Sequence, residues 1–180
     1  DHEMKPKTVT LHVGAIIVAT GFDVYLPYEI EEYGYGRYAN VVTSMEFERI
    51  INAAGPTSGH LERLSEDRRR PKVLAFIQCV GSRDMRFNRP YCSCVCCMHS
   101  TKEAMLAREH YHDTDSYVFY TDMRAFGKGF NEYIERGARE YGIRYIRAKP
   151  GEIREDPATK DLLVYYTDRH EGRVKALRAE

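Results

Sequence analysis

The stretch Lys72-Val-Leu-Ala-Phe-Ile-Gln-Cys-Val-Gly-Ser-Arg-Asp84 sets five apolar residues in a row and then stops at a cysteine. A short continuous apolar run bounded by turn residues is the pattern of a strand covered on both faces, as in a parallel sheet. Downstream, Ser100–His110 reads as a helix, with Ser100 or Thr101 as its cap and Ala104, Met105, Leu106 and Ala107 following. Tyr117–Thr121 is the next strand, ended by Asp122. Lys128–Tyr141 is amphipathic, with Phe130, Tyr133, Ile134 and Ala138 on one face, and Gly142 is a fitting stop. Ile143–Ile146 is a third strand, and Leu162–Tyr166 with Gly172–Ala176 forms a closing antiparallel pair. The order β-α-β-α-β followed by a β-meander predicts an α/β, Rossmann-like domain over residues 72–180, its first three strands parallel and its helices on the sheet faces.

Upstream, Thr8–Val13 alternates, and Gly14-Ala-Ile-Ile-Val-Ala-Thr-Gly21 is another apolar run, expected as a buried strand. Phe22–Asn40 is loop-like. A short helix is expected after Thr43 or Ser44, ending before Gly55-Pro56. Residues 55–71, with Gly, Pro, Ser and the charge run Glu66–Arg70, suit a solvated linker.

Composition narrows the function classes. Of 180 residues, 43% are hydrophobic and 30% charged, the balance of an ordinary globular chain. Lys plus Arg and Asp plus Glu number 27 each, so net charge gives no reason to expect nucleic acid or an anionic membrane as partner. The longest apolar runs, Val13–Ala19 and Val73–Ile77, are too short to span a bilayer, and no signal peptide is apparent. The sequence starts at Asp-His-Glu without an initiator Met, which reads as a piece of a longer chain or a processed one. The apolar strand at Ala15–Ala19 would then need a neighbour, with a second copy of the chain as one candidate.

All five cysteines fall within residues 79–97, spaced Cys79-x12-Cys92-x-Cys94-x-Cys96-Cys97. An odd count so tightly packed is a poor disulfide framework and a good metal site in a reducing compartment, which points to the cytoplasm. Cys79 ends the first strand of the nucleotide-like domain, and the other four lie in the loop leading to the first helix. Ligands of open parallel sheets bind at the carboxyl ends of the strands. The Gly-x-Gly-x-x-Gly turn of a dinucleotide site is missing here, since Gly81 is the one glycine after the strand. Four thiolates can hold a [4Fe-4S] cluster or a structural zinc. The adjacent pair Cys96-Cys97 favours the larger cluster, whose separate irons neighbouring residues can reach. Zinc, thiol redox chemistry and plain structural cysteines remain as alternatives. Cys94 is the expected free thiol, and His99 a second candidate ligand better read as a satisfied histidine.

The residues also carry a family resemblance. Phe76–Asp84, Asn88–Cys92, Cys96–Met98, Thr101–Ala104, Asp122–Gly129 and Tyr141–Arg147, with Gly14–Phe22 and Asn52–Thr57, resemble the A-subunit of heterodisulfide reductase and the related subunits of quinone-interacting membrane-associated oxidoreductases. The resemblance implies a thioredoxin-reductase-like body with an FAD domain and a second Rossmann-like domain. It implies a [4Fe-4S] cluster on a Cys-x12-Cys-x3-Cys-Cys pattern, which falls on Cys79, Cys92, Cys96 and Cys97; the family carries another residue, often Arg, where this sequence has Cys94, which makes Cys94 a candidate substitute ligand here. It makes residues 1–54 a partial FAD-domain segment, with Ala19-Thr20-Gly21 as the strand-end turn near FAD. The glycine fingerprint for the FAD pyrophosphate and the returning half of that domain are not in this sequence. Electron transfer among subunits of a heterodisulfide reductase-type complex is the implied function, with no catalytic nucleophile or acid–base pair required. A zinc-stabilised interaction module without redox activity is the main rival.

Asp122 stands where an acidic residue would hold a ribose, but without the upstream glycines it is expected to pair locally. Arg124 and Lys128 are expected either to face an anionic cofactor or partner, or to belong to a solvated loop.

Overall fold

A computed structural model describes residues 3–180. Three strands, β1 (Val73–Ile77), β2 (Asp115–Phe119) and β3 (Arg144–Ile146), form a parallel sheet in the order β1-β2-β3. A second, antiparallel sheet follows in the order β4 (Glu152–Glu155), β5 (Leu162–Asp168), β6 (Arg173–Ala179). Helix α1 (Ser44–Ile51) precedes the parallel sheet, and α2 (Cys96–His110) and α3 (Phe130–Tyr141) make its two crossovers. The expected α/β architecture, parallel sheet plus meander, is therefore the one observed.

The parallel strands are covered on both faces, which explains their lack of apolar alternation. Phe76 and Val118 point toward the helices and pack with Ala104 and Met105 of α2, Ile143 and Tyr133. Ala75, Ile77, Tyr117 and Phe119 point the other way and pack with Ile153, Leu162 and Val164 of the meander. The period of two along each strand thus divides one core into two layers. Phe119 meets Tyr166 edge-on, their ring centroids 5.1 Å apart. Gly137 in α3 is required by close approach, since a Cβ there would lie 2.9 Å from the Tyr145 hydroxyl and 3.1 Å from Ile143.

Helix α1 starts with a capping box. The Glu46 amide donates to Thr43 Oγ1 at 3.3 Å, and the Thr43 amide donates to Glu46 Oε2 at 2.6 Å. Its buried face carries Phe47, Ile50 and Ile51, of which Phe47 and Ile51 join Leu61 and Ala107. Thr43→Ala is expected to cost about 1 kcal/mol, read as a lowered urea midpoint with an unchanged slope.

Two expectations are corrected. The run Gly14–Gly21 carries no strand, and Ile16 and Ile17 are 82% and 91% exposed. A strand needs the N–H and C=O groups of a neighbour, and among the described residues no strand pairs with this run. The stretch 55–71 is not merely solvated. Leu61, Arg63 and Ser65 are buried, and Arg63 Nη1 donates to Asp161 Oδ1 at 2.8 Å. Asn40 adds a further tie, accepting from the Leu64 and Ser65 amides at 3.0 Å each. Among the described residues no helix is long and apolar enough to cross a membrane.

Candidate metal centre

Cys79 follows β1 directly, past Gln78, in a left-handed backbone conformation with φ 60°. Non-glycine residues seldom take this conformation, and it turns the chain sharply at the tip of the sheet. Two Asp84–Arg89 backbone hydrogen bonds and the Arg83 amide on the Tyr91 carbonyl at 2.9 Å then fold residues 83–91 back as a hairpin-like loop. The chain returns at Cys92, passes Cys94, which is also left-handed at φ 65°, and enters α2 at Cys96. The helix thus begins earlier than Ser100, and Cys96 and Cys97 occupy its first turn. The unpaired amides and positive end of the helix macrodipole favour thiolates there.

Two cysteines of the matched quartet, Cys92 and Cys97, accept a backbone hydrogen bond at sulfur. The Cys94 amide donates to Cys92 Sγ at 3.4 Å. Cys96 Sγ lies 3.7 Å from Ser93 Oγ. The Arg124 amide donates to Cys97 Sγ at 3.5 Å. The Cys97 thiol in turn donates to Cys96, which pushes Cys96 down to about 5 and Cys97 upward. Burial, with Cys96 nearby, pushes the Cys79 thiol up, and Arg83 and Thr121 pull against it. Cys79 and Cys97 are buried, Cys92 and Cys96 half-buried and Cys94 exposed, and all five are free thiols. Cys79, Cys96 and Cys97 lie near enough to act on one another electrostatically, while Cys92 is half-buried and Cys94 exposed.

A strongly anionic sulfur-bound group fits this donor set. Amide and hydroxyl donors aimed at thiolates are the surroundings that stabilise such a group. Arg83 adds a buried guanidinium nitrogen, Nη1, without a hydrogen-bond partner. An orphaned cationic donor next to Cys79 and Cys92 calls for an anion. Asp122 pairs locally, accepting from Arg83 Nη2 at 2.6 Å and Arg147 Nη2 at 3.1 Å. Arg124 and Lys128 are exposed in their loop. Ala19, Thr20 and Gly21 are exposed, and Gly21 has φ 75°. A cavity of about 610 Å³ lies beside the centre, lined among others by Tyr25, Phe47, Gln78, Cys79 and Cys96. Both amide atoms of the buried Gln78 lack partners.

A second polar cluster joins α1 to α2. His99 Nε2 lies 3.0 Å from Glu48 Oε1 and 3.5 Å from Glu103 Oε1, and Ser44 Oγ donates to Glu103 Oε1 at 2.6 Å. Lys102 also pairs with Glu48. His99 is thus a satisfied histidine in a helix–helix polar contact. Its donor atom with those of Glu48 and Glu103 could also hold a metal ion. The sequence signal for this cluster was the i, i+4 spacing of His99 and Glu103. The role of Arg83 had no such signal.

A parallel sheet with a separate antiparallel meander, and cysteines between the end of its first strand and the first turn of α2, defines a cysteine-bearing α/β protein of nucleotide-domain type. No family model matches the chain. It is 55% identical over 168 residues to the second iron–sulfur A-subunit of CoB–CoM heterodisulfide reductase from Methanopyrus kandleri, an alignment covering 93% of this chain and 26% of that protein. It is 51% identical to the A-subunit of the H2:CoB–CoM heterodisulfide, ferredoxin reductase of Methanothermobacter thermautotrophicus, covering 87% and 24% respectively. Against the iron–sulfur A-subunit of the CoB–CoM heterodisulfide reductase of Methanocaldococcus jannaschii it is 45% identical, covering 99% and 27%. Over the segment it shares with them, the chain belongs to the heterodisulfide reductase A-subunit family, and it spans about a quarter of the length of these relatives.

Proposed function

We propose that this chain is the electron-relay portion of a heterodisulfide reductase A-type oxidoreductase subunit, with Cys79, Cys92, Cys96 and Cys97 as ligands of a [4Fe-4S] cluster. The single observation that supports the reading is the spacing Cys79-x12-Cys92-x3-Cys96-Cys97 beside a buried Arg83 guanidinium nitrogen that has no partner and acts electrostatically on Cys79 and Cys92. Such a cluster, when bound, supplies one-electron transfer. The chain's own residues supply the rest. Cys79 and Cys97 anchor from buried positions, and the amides of Cys94 and Arg124 donate to the sulfurs of Cys92 and Cys97. Phe47 of α1 and Ile153 and Val164 of the meander line the cavity beside Cys79 and Cys96. No proton acceptor or nucleophile is required of the protein.

In the longer protein, residues 1–54 would be part of an FAD domain, with Ala19, Thr20 and Gly21 near the flavin. Residues 55–71 would connect it to the Rossmann-like domain at 72–180, whose loop 79–97 carries the cluster. Partners would be the other subunits of a heterodisulfide reductase-type complex, in the cytoplasm, with any membrane association supplied by them. The names of the relatives support these roles, since one is called an iron–sulfur protein of its complex and another belongs to a ferredoxin reductase.

Anaerobic reconstitution with iron and sulfide tests the reading. The expected product is brown, absorbs broadly in the blue and gives an EPR signal on reduction. Uptake of zinc with no iron under the same conditions would replace the relay with a zinc-stabilised interaction module.

A further inference from the structure

We propose that Arg83 sets the reduction potential of the cysteine-held cluster, with Asp122 holding its guanidinium in place; this rests on the cluster reading above. Four observations converge on this residue. Its backbone is left-handed at φ 53°, a conformation an arginine seldom adopts, and its amide closes the loop on Tyr91. Its side chain is 22% exposed, so its charge is only partly screened by solvent. The guanidinium interacts electrostatically with Cys79 and Cys92, one ligand from each side of the loop. Nη2 is fixed on Asp122 Oδ2 at 2.6 Å while Nη1 is buried without a partner.

The chemistry follows from charge alone. One electron enters the cluster, no bond forms or breaks, and the reduced state carries one more negative charge. A nearby cation stabilises that state and raises the potential, and a nearby anion lowers it. Arg83 and Asp122 therefore act with opposite signs, Arg83 directly and Asp122 both by its own charge and as the positioning residue. Arg124 and Lys128 are exposed, so solvent screens them more strongly.

The test is an EPR-monitored redox titration of the whole anaerobically reconstituted chain. For Arg83→Gln, the ratio of reduced to oxidised cluster at the wild-type midpoint should fall about tenfold, equivalent to about 59 mV for a one-electron couple. Arg83→Lys keeps the charge and should restore most of the shift. Asp122→Asn should move the midpoint the other way. A wild-type midpoint in Arg83→Gln with an intact cluster signal overturns the inference, as does a fall in Asp122→Asn. If Arg83→Gln takes up no cluster, the two remaining variants decide. A raised midpoint in Asp122→Asn with a near-wild-type Arg83→Lys supports the assignment, and two unshifted variants overturn it. Failure of the wild-type chain itself to bind iron would instead sink the cluster reading.

Discussion

Serine at Cys79 or Cys97 is expected to abolish iron and sulfide binding by the reconstituted chain, whereas serine at Cys94 should leave both unchanged. The two buried sulfurs have no understudy. Cys79 is held at the sheet tip by a turned backbone, and Cys97 faces into the fold, where its sulfur meets the Arg124 amide. A serine oxygen is a harder, less polarisable donor and a poor replacement for a thiolate on iron. Cys92 differs, because the Cys94 amide already touches its sulfur and the Cys94 thiol sits two residues away on the exposed rim. Cys92→Ser should therefore keep a fraction of the iron, and Cys92→Ser with Cys94→Ser should lose it. The measurement is iron and acid-labile sulfide per chain after anaerobic gel filtration. Full iron content in Cys79→Ser, or its loss in Cys94→Ser, would sink the ligand assignment. A circular dichroism melt of the metal-free variants separates ligand loss from misfolding, since a thiol-to-hydroxyl change at one site should leave the apo fold in place.

The parallel sheet was legible because strands buried on both faces spell themselves out as apolar runs, and Val73–Ile77 does so. The strand β4 was not, since Glu152-Ile-Arg-Glu155 offers one apolar residue and is an edge strand of the meander. The start of α2 lies ahead of the expected Ser100 because Cys96 and Cys97 carry no capping signal, and Val95 makes no side-chain cap. Gly14–Gly21 has the composition of a buried strand, yet composition cannot supply the neighbouring strand that would make it one. For the site, spacing selected four of five thiols, and the structure sets Cys79 after β1 and Cys96 and Cys97 in the first turn of α2. Arg83 escaped notice because its importance lies in a left-handed backbone and an orphaned nitrogen, and neither leaves a mark in sequence. The same limit applied to Arg63, one arginine in a polar stretch whose partner is 98 residues away.

That partner gives the largest stability effect expected outside the cysteines. The Arg63 side chain is 1% exposed and that of Asp161 9%. Arg63 Nη2 donates to the Thr159 carbonyl at 2.7 Å, and Arg178 Nε completes the Asp161 carboxylate at 2.6 Å. Burial alone would push the Asp161 carboxyl up, but the hydrogen bonds from Arg178 and Arg63 outweigh it and hold the carboxyl below its usual range. Asp161→Ala leaves the buried Arg63 guanidinium with Asp67 at 3.6 Å as its remaining counter-charge, a loss of about 3 kcal/mol, which at this chain length lowers Tm by roughly 6–12 °C. Arg178→Ala should cost less than about 1 kcal/mol, because Arg178 is half exposed and Asp161 keeps Arg63. Arg63→Met combined with Asp161→Leu should recover most of the stability, because removing both charges leaves neither uncompensated. The sign with pH follows from the depressed carboxyl. Its stabilisation is complete above the unfolded value of about 4 and is lost as pH falls through the folded one. Asp161→Ala should therefore flatten the acid limb of the stability curve below about pH 4 relative to the parent. A cost under about 1 kcal/mol for Asp161→Ala would mean that water reaches Arg63, and that residues 55–71 are only loosely attached to the meander.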